Sequence, residues 1–127
     1  MNLENTILET LDIKIVDLNP ERVVLSMPVG PKTRQPMGLL HGGASVVLAE
    51  SAASIGAYLN VDPETQTAFG IEINANHLSS KKSGIVKAIA TPIHRGKSTM
   101  VWQIEIVDEH DKKICISRCT IGIITKK

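Results

Sequence analysis

The residues able to do chemistry in this 127-residue chain crowd into one segment, from Gln35 through His41-Gly42-Gly43 to Glu50 and Ser54. Two adjacent glycines at a helix start let a ligand approach the backbone, and the N–H groups of a first helical turn lack intrahelical acceptors. Such donors face the positive end of the helix dipole and can stabilise a carbonyl oxygen that gains negative charge. A tight turn needing glycine for its backbone angles would use the same pair, and Gly-Gly alone does not separate the two readings. Glu50 interrupts a run otherwise made of Ala, Val, Leu, Ile and Ser. An unpaired carboxylate is costly to bury, so Glu50 must face a cleft, solvent or a partner. Ser54, four residues on, shares its face and is placed to hold a water or orient the carboxylate. His41 can donate a hydrogen bond or shape the turn, and Gln35 offers its amide to a carbonyl.

Spacing bears on assembly. Gly42 and Glu50 are eight positions apart on one helix, about 12 Å at about 1.5 Å per residue, too far to act on one carbonyl carbon. If two such helices run antiparallel across a two-fold axis, the Gly42 amide of one chain approaches Glu50 of the other, and the chemistry sits between subunits. No second histidine lies three or four residues from His41, and no cysteine pair has finger spacing, so neither a metal nor another cofactor is expected. The turns Ser80-Lys81-Lys82 and Arg95-Gly96-Lys97-Ser98 can pair with phosphate oxygens or simply be solvated hairpin tips. The second is not a Walker loop, because Thr91 stands where that loop needs glycine.

The elements that must position these residues follow from periodicity. Leu3, Ile7, Leu8 and Leu11 predict a short amphipathic helix capped by Asn2 or Asn5 and ending near Asp12. Ile13 to Leu18 and Arg22 to Val29 read as a hairpin around Asn19-Pro20. A loop from Gly30 to Leu40, with Pro31, Pro36 and Gly38, leads into a buried helix from Gly43 to Leu59, apolar nearly all round and broken at Asp62-Pro63. Four strands follow, Thr67 to Leu78, Gly84 to His94, Ser98 to Asp108 and Lys113 to Thr125, joined as three consecutive hairpins. The expected architecture is α+β, one domain over residues 1–127, with an antiparallel sheet wrapped around the long central helix. Val101, Ile104, Ile106, Ile114 and Ile116 are expected on the outer face of the sheet, where a second copy would cover them and the strand edges.

Composition excludes several classes. Apolar residues make up 43% and charged residues 21%, which is globular rather than disordered. Fourteen Lys+Arg against 13 Asp+Glu give a charge of +1, and there is one each of Trp, Tyr and Phe. No basic field or stacking platform for nucleic acid results. No secretory signal or membrane span is read, so a cytoplasmic protein is expected. Cys115 and Cys119, four apart in one strand, are too distant to bridge and should be reduced thiols.

Together, Gln35, His41-Gly42-Gly43, Glu50, Ser54 and the later Ile73-Asn-Ala-Asn-His77 resemble the active-site segments of hotdog-fold acyl-CoA thioesterases. The likeness spans nearly the whole chain and is strongest to the branch acting on 4-hydroxybenzoyl-CoA and 1,4-dihydroxy-2-naphthoyl-CoA. The resemblance implies a homodimer or a homotetramer built as a dimer of dimers, with shared sites and an acyl-CoA substrate. It implies that the Gly42 N–H polarises the thioester carbonyl, Gln35 orients it, and Glu50 from the facing subunit acts as nucleophile or general base. Ser54 would place the water, and His41 would shape the site. His77, Lys81, Lys82, Arg95, Gly96 and Lys97 would contact pantetheine and the nucleotide phosphates. Menaquinone biosynthesis is the leading pathway on this likeness, ahead of benzoyl, phenylacetyl or medium-chain esters. Val46, Val47, Ala53, Ile55, Ala57, Phe69 and Ile71 could line a flat acyl pocket or belong to the core.

Two other readings compete. A hotdog hydratase is echoed by Asp17-Leu-Asn-Pro20, but the histidine of that signature is missing. A non-catalytic acyl-CoA sensor would normally carry a DNA-binding segment, and no helix-turn-helix or basic arm precedes residue 13.

Overall fold

The computed structural model describes residues 1–127. A one-turn helix α1 (Ile7–Thr10) leads into β1 (Lys14–Asn19) and β2 (Arg22–Val29), then the long helix α2 (Gly42–Tyr58). Four strands complete the chain: β3 (Gln66–His77), β4 (Gly84–Arg95), β5 (Thr99–Asp108) and β6 (Lys113–Thr125). They form a single antiparallel sheet in the order β1-β2-β4-β5-β6-β3, curled around α2 in the hotdog arrangement.

Small residues let the helix approach the sheet. Leu48, Ala49, Ala52, Ala53 and Ala57 of α2 are fully buried, and Ala88 and Ala90 of β4 face it in register with Leu25 and Val23 of β2. Inward positions follow the two-residue period of a pleated strand: Val23, Leu25 and Met27 on β2, Trp102, Ile104 and Ile106 on β5. Trp102 lies against Gly56, where an added Cβ would stand 2.5 Å from the indole, so only glycine fits. The indole Nε1 finds no acceptor, a cost of about 1–3 kcal/mol set against the apolar area of the ring.

Three expectations need correcting. The N-terminal helix is a single turn with no buried residue; Thr6 occupies its N-cap position, while Asn5 and Asp12 have left-handed φ of 60° and 57°. The first of the three expected hairpins does not exist. β3 pairs with β6, from Gln66↔Thr125 to His77↔Cys115, and the chain crosses through Leu78–Ser83 to start β4 beside β2. Alternation assigns faces and not neighbours, and a Ser-Lys-Gly segment suits a crossover as well as a turn. Finally, Ile104, Ile106 and Ile114 face the helix and belong to the core, Val101 is half-buried, and of that set only Ile116 is exposed. Ala53, Ile55 and Ala57 are also core, whereas Phe69 and Ile71 stand exposed on β3.

β3 ends the sheet: β6 pairs along one side and no strand along the other. It runs past α2 in the opposite sense, so that Gly70 adjoins Glu50 and His77 adjoins Gly42.

Candidate active site

His41 builds the start of α2. Its backbone N–H donates to the Thr33 carbonyl at 2.8 Å, and its carbonyl accepts from Ala44 and Ser45. Its ring Nδ1 accepts from the Gly43 N–H at 2.7 Å, a side-chain N-cap. These bonds occupy the first-turn donors from Gly43 onward. The Gly42 N–H has no acceptor in the chain, and it points out at the positive end of a 17-residue helix. Glycine there leaves room for the His77 imidazole: a Cβ at Gly42 would lie 2.8 Å from its Nε2 and would push the ring aside.

Gly42, Gln35, Ser45, His77, Ser79 and Ser80 border one cavity of about 370 Å³. The Gln35 Oε1 accepts from the N–H groups of Met37 and Leu39, which holds the side chain across its own loop and leaves its amide N–H groups unengaged. Of the expected residues, Gln35 and Gly42 therefore meet in one cavity, with His41 capping the helix beside it. His77 joins them at the helix start rather than lying out among the basic turns. Ser45 and Ser79 carry no distinguishing spacing in the sequence, and Ser80, expected only as part of a basic turn, lines the cavity with them.

Glu50 opens elsewhere. Its Oε2 lies where a Cβ on Gly70 would be only 2.6 Å away, so glycine on β3 makes room for the carboxylate. Half-buried and without a hydrogen bond inside the chain, Glu50 borders a second cavity of about 520 Å³ with Ser51 and Ser54. Val47, Ile55 and, from the N-terminal segment, Met1–Leu3 and Thr6–Leu8 supply the remaining wall. Neither Gln35 nor Gly42 touches that cavity. Within one chain the unengaged Gly42 N–H and the Glu50 carboxylate thus border separate compartments, as their spacing along the helix requires.

The basic turns divide the same way. Lys81 is tied to Glu109 and, at 3.2 Å, to Asp108. The Glu109 carboxylate, then Asp108, push its ammonium pKa up against the opposing effect of burial. Glu109 is held down by Lys81 and by the Ile85 N–H. The Asp108 carboxyl is lowered to about 2, first by the Lys112 N–H and then by the His110 N–H and Lys81, against burial. Lys81 accordingly clamps the Leu78–Ser83 crossover to the β5–β6 turn. The Lys82 carbonyl accepts two bonds from Arg34, at 3.0 and 2.8 Å, while its ammonium makes none. At the far end of β4, Arg95 grips both carboxylate oxygens of Glu21, at 2.8 and 3.1 Å, and Asn60. The Gly96 N–H donates to Thr99 in the hairpin, and Lys97 is unpaired. Lys82 and Lys97 are therefore the cations of these turns without a carboxylate partner.

No group of three or more His, Cys, Asp or Glu side chains is arranged to hold a metal, and no helix is long and apolar enough to cross a membrane. Cys115 and Cys119 are free and buried. Burial pushes both thiols up, Cys119 to about 11 with help from Glu50 and Glu72, which removes them as nucleophiles near neutral pH.

Residues 37–115 match the family model described as Thioesterase superfamily. ComA2 of Bacillus subtilis, whose name places it only among esterases, is 56% identical over 126 residues, covering 99% of this chain and 100% of its own. The 1,4-dihydroxy-2-naphthoyl-CoA hydrolase of Listeria monocytogenes is 54% identical over 119 residues, covering 94% and 96%. SAV0944 of Staphylococcus aureus, called a thioesterase enzyme, superposes with a TM-score of 0.92 at 44% identity, over 94% of this chain and 99% of that one. Two crystal structures of it carry alanine for a glutamate and for a glutamine, fifteen positions apart.

Proposed function

This chain belongs to the thioesterase superfamily and is a thioester hydrolase, and on that premise we propose that it cleaves an aromatic acyl-CoA, 1,4-dihydroxy-2-naphthoyl-CoA foremost, at a site shared by two protomers. The observation that carries the reading is the unengaged Gly42 N–H at the helix start, beside Gln35 and His77, with an unpaired Glu50 carboxylate on the same helix in another compartment. Each half lacks what the other has. Antiparallel apposition of two α2 helices brings Gly42 of one protomer to Glu50 of the next, and the unpaired edge of β3 offers the strand along which two copies can join. A homodimer is the minimal assembly, and a dimer of dimers would cover further apolar surface.

In this mechanism the thioester oxygen accepts from Gly42 while the Gln35 amide orients it. Negative charge developing on the oxygen is met by the helix dipole and a preorganised donor. Two routes use Glu50 of the facing protomer. Its carboxylate adds to the carbonyl carbon, the C–S bond breaks to release CoA thiolate, and water hydrolyses the mixed anhydride. Alternatively it takes a proton from a water held near Ser54, the water oxygen adds to the carbon, and the thiolate leaves. Both routes yield free acid and CoA, and both use Glu50 as the ionised base or nucleophile.

SAV0944 lends support, because the separation of its two substituted positions equals that of Gln35 and Glu50. The acyl assignment rests on the Listeria relative's name at 54% identity. Thiol release from a panel of CoA esters tests the substrate, with Glu50→Ala beside the wild type. Loss of at least about 10²-fold in kcat with ligand still bound is expected; near-wild-type turnover refutes the role of Glu50. Wild-type protein that binds the esters and frees no thiol would instead be a binding protein. Solvent oxygen-18 under single turnover separates the two routes.

A further inference from the structure

We infer that the N-terminal segment Met1 to Leu8 is the specificity wall of the acyl site, with Leu3 and Ile7 setting how large a ring system reacts. The inference rests on the proposed role of Glu50. Whichever route operates, the thioester carbon must come within about 3–3.5 Å of the Glu50 carboxylate or its water. The acyl group bonded to that carbon then fills the space next to Glu50, which is the 520 Å³ cavity and within the roughly 300–1,000 Å³ of small-molecule sites.

The two cavities differ in chemistry. Around Gly42 the polar groups of Gln35, His77, Ser79 and Ser80 share the lining with three leucines and Ile114, a mixture suited to the amides and methylenes of a pantetheine arm. Beside Glu50 it is Val47 and Ile55 on one side and Leu3, Ile7 and Leu8 on the other, suited to an apolar ring.

The wall is held in place although it contributes nothing fully buried. Leu8 and Leu11 pack on the core, the Ile13 N–H donates to the Leu8 carbonyl at 2.8 Å, and Lys32 pairs with Asp12 at 3.1 Å. Left-handed Asn5 and Asp12 bend the chain at both ends of the turn. Yet Ile7 remains 53% exposed, an apolar side chain facing a cavity beside a carboxylate. Hydroxyl substituents on the ring would meet Ser51, whose side-chain hydroxyl has no partner in the chain, and the free amide N–H groups of Asn2, whose Oδ1 already accepts from the Glu4 N–H.

The test compares kcat/KM for 1,4-dihydroxy-2-naphthoyl-CoA and benzoyl-CoA in wild type and Ile7→Trp, whose larger side chain narrows the cavity from the N-terminal wall. The two-ring to one-ring ratio should fall by about tenfold or more, a discrimination a hydrophobic pocket can supply. An equal loss on both esters, or no loss, overturns the inference. Hydrogen exchange on the wild type gives an independent reading: a hydrolysis-resistant naphthyl ketone analogue of the ester should slow exchange across residues 1–11, whereas CoA alone should not. Protection confined to other segments overturns it as well. If the wild type frees no thiol from any ester, the hydrolase reading of this site fails, and the exchange measurement still decides whether the segment contacts the ring.

Discussion

Alanine at Gly70 displaces the Glu50 carboxylate without touching α2. The new Cβ would stand 2.6 Å from Oε2 and 3.6 Å from Cδ, so the carboxylate must retreat by roughly 0.8 Å to reach ordinary contact near 3.4 Å. The obstacle is the far end of a flexible side chain, Gly70 is exposed, and its φ is not positive, so the fold yields cheaply. Strand stability should if anything rise, by up to about 1 kcal/mol, as glycine loses more freedom on folding. Catalysis responds differently, since a misplacement of about 1 Å at a reacting group can cost on the order of 10²-fold. The expected loss in kcat is about tenfold to a hundredfold, or about 1.4 to 2.7 kcal/mol of barrier, with KM little changed. Thiol release under saturating ester, paired with thermal unfolding, reads both quantities. A kcat within about twofold of wild type at unaltered Tm would mean that the carboxylate position beside Gly70 is not the reactive one.

Gly56→Ala should destabilise by about 1–3 kcal/mol in denaturant unfolding, because its Cβ meets a fully buried Trp102 that cannot move aside. Folding lowers the Asp108 pKa, so the stability it contributes is complete above the unfolded value near 3.8 and is lost as pH falls towards about 2; Tm measured against pH should show this component in the wild type and not in Asp108→Asn. Lys82→Ala should raise KM for CoA esters by about tenfold through a lost phosphate contact, while Arg95→Ala, whose guanidinium already grips Glu21, should raise it far less. The reverse order would move the nucleotide to the other end of β4.

Strand positions were legible in the sequence to within a residue or two, because alternation of apolar residues in Arg22 to Val29 and Lys113 to Thr125 reports which side faces the helix. Pairing was not, since period carries no information on neighbours, and β3 sits beside β6 rather than β4. Within the site, Gly42 and Glu50 stood out locally: a glycine pair before a helix, and a charge inside an apolar one. Contacts made across the chain were invisible. Lys81 read as a free basic turn residue because its carboxylate partners lie 27 and 28 positions later. The wall over Glu50 comes from residues some forty positions earlier, whose period resembled a longer helix than the single turn that forms.

Subunit mixing tests the shared site most directly. Gly42→Pro removes the proposed polarising N–H at a first helical position that tolerates proline, with His41 before it already extended at φ −70° and ψ 131°, and its ring also displaces the His77 imidazole, so both changes disable the same half of the site. Glu50→Ala removes the carboxylate, and each homo-oligomer should be inactive. In assemblies formed at random from equal amounts of the two chains, one site of each mixed pair regains both groups, giving roughly a quarter of the wild-type rate per chain. Mixed assemblies that contain both chains by mass and are no more active than their parents would contradict a site built from two protomers.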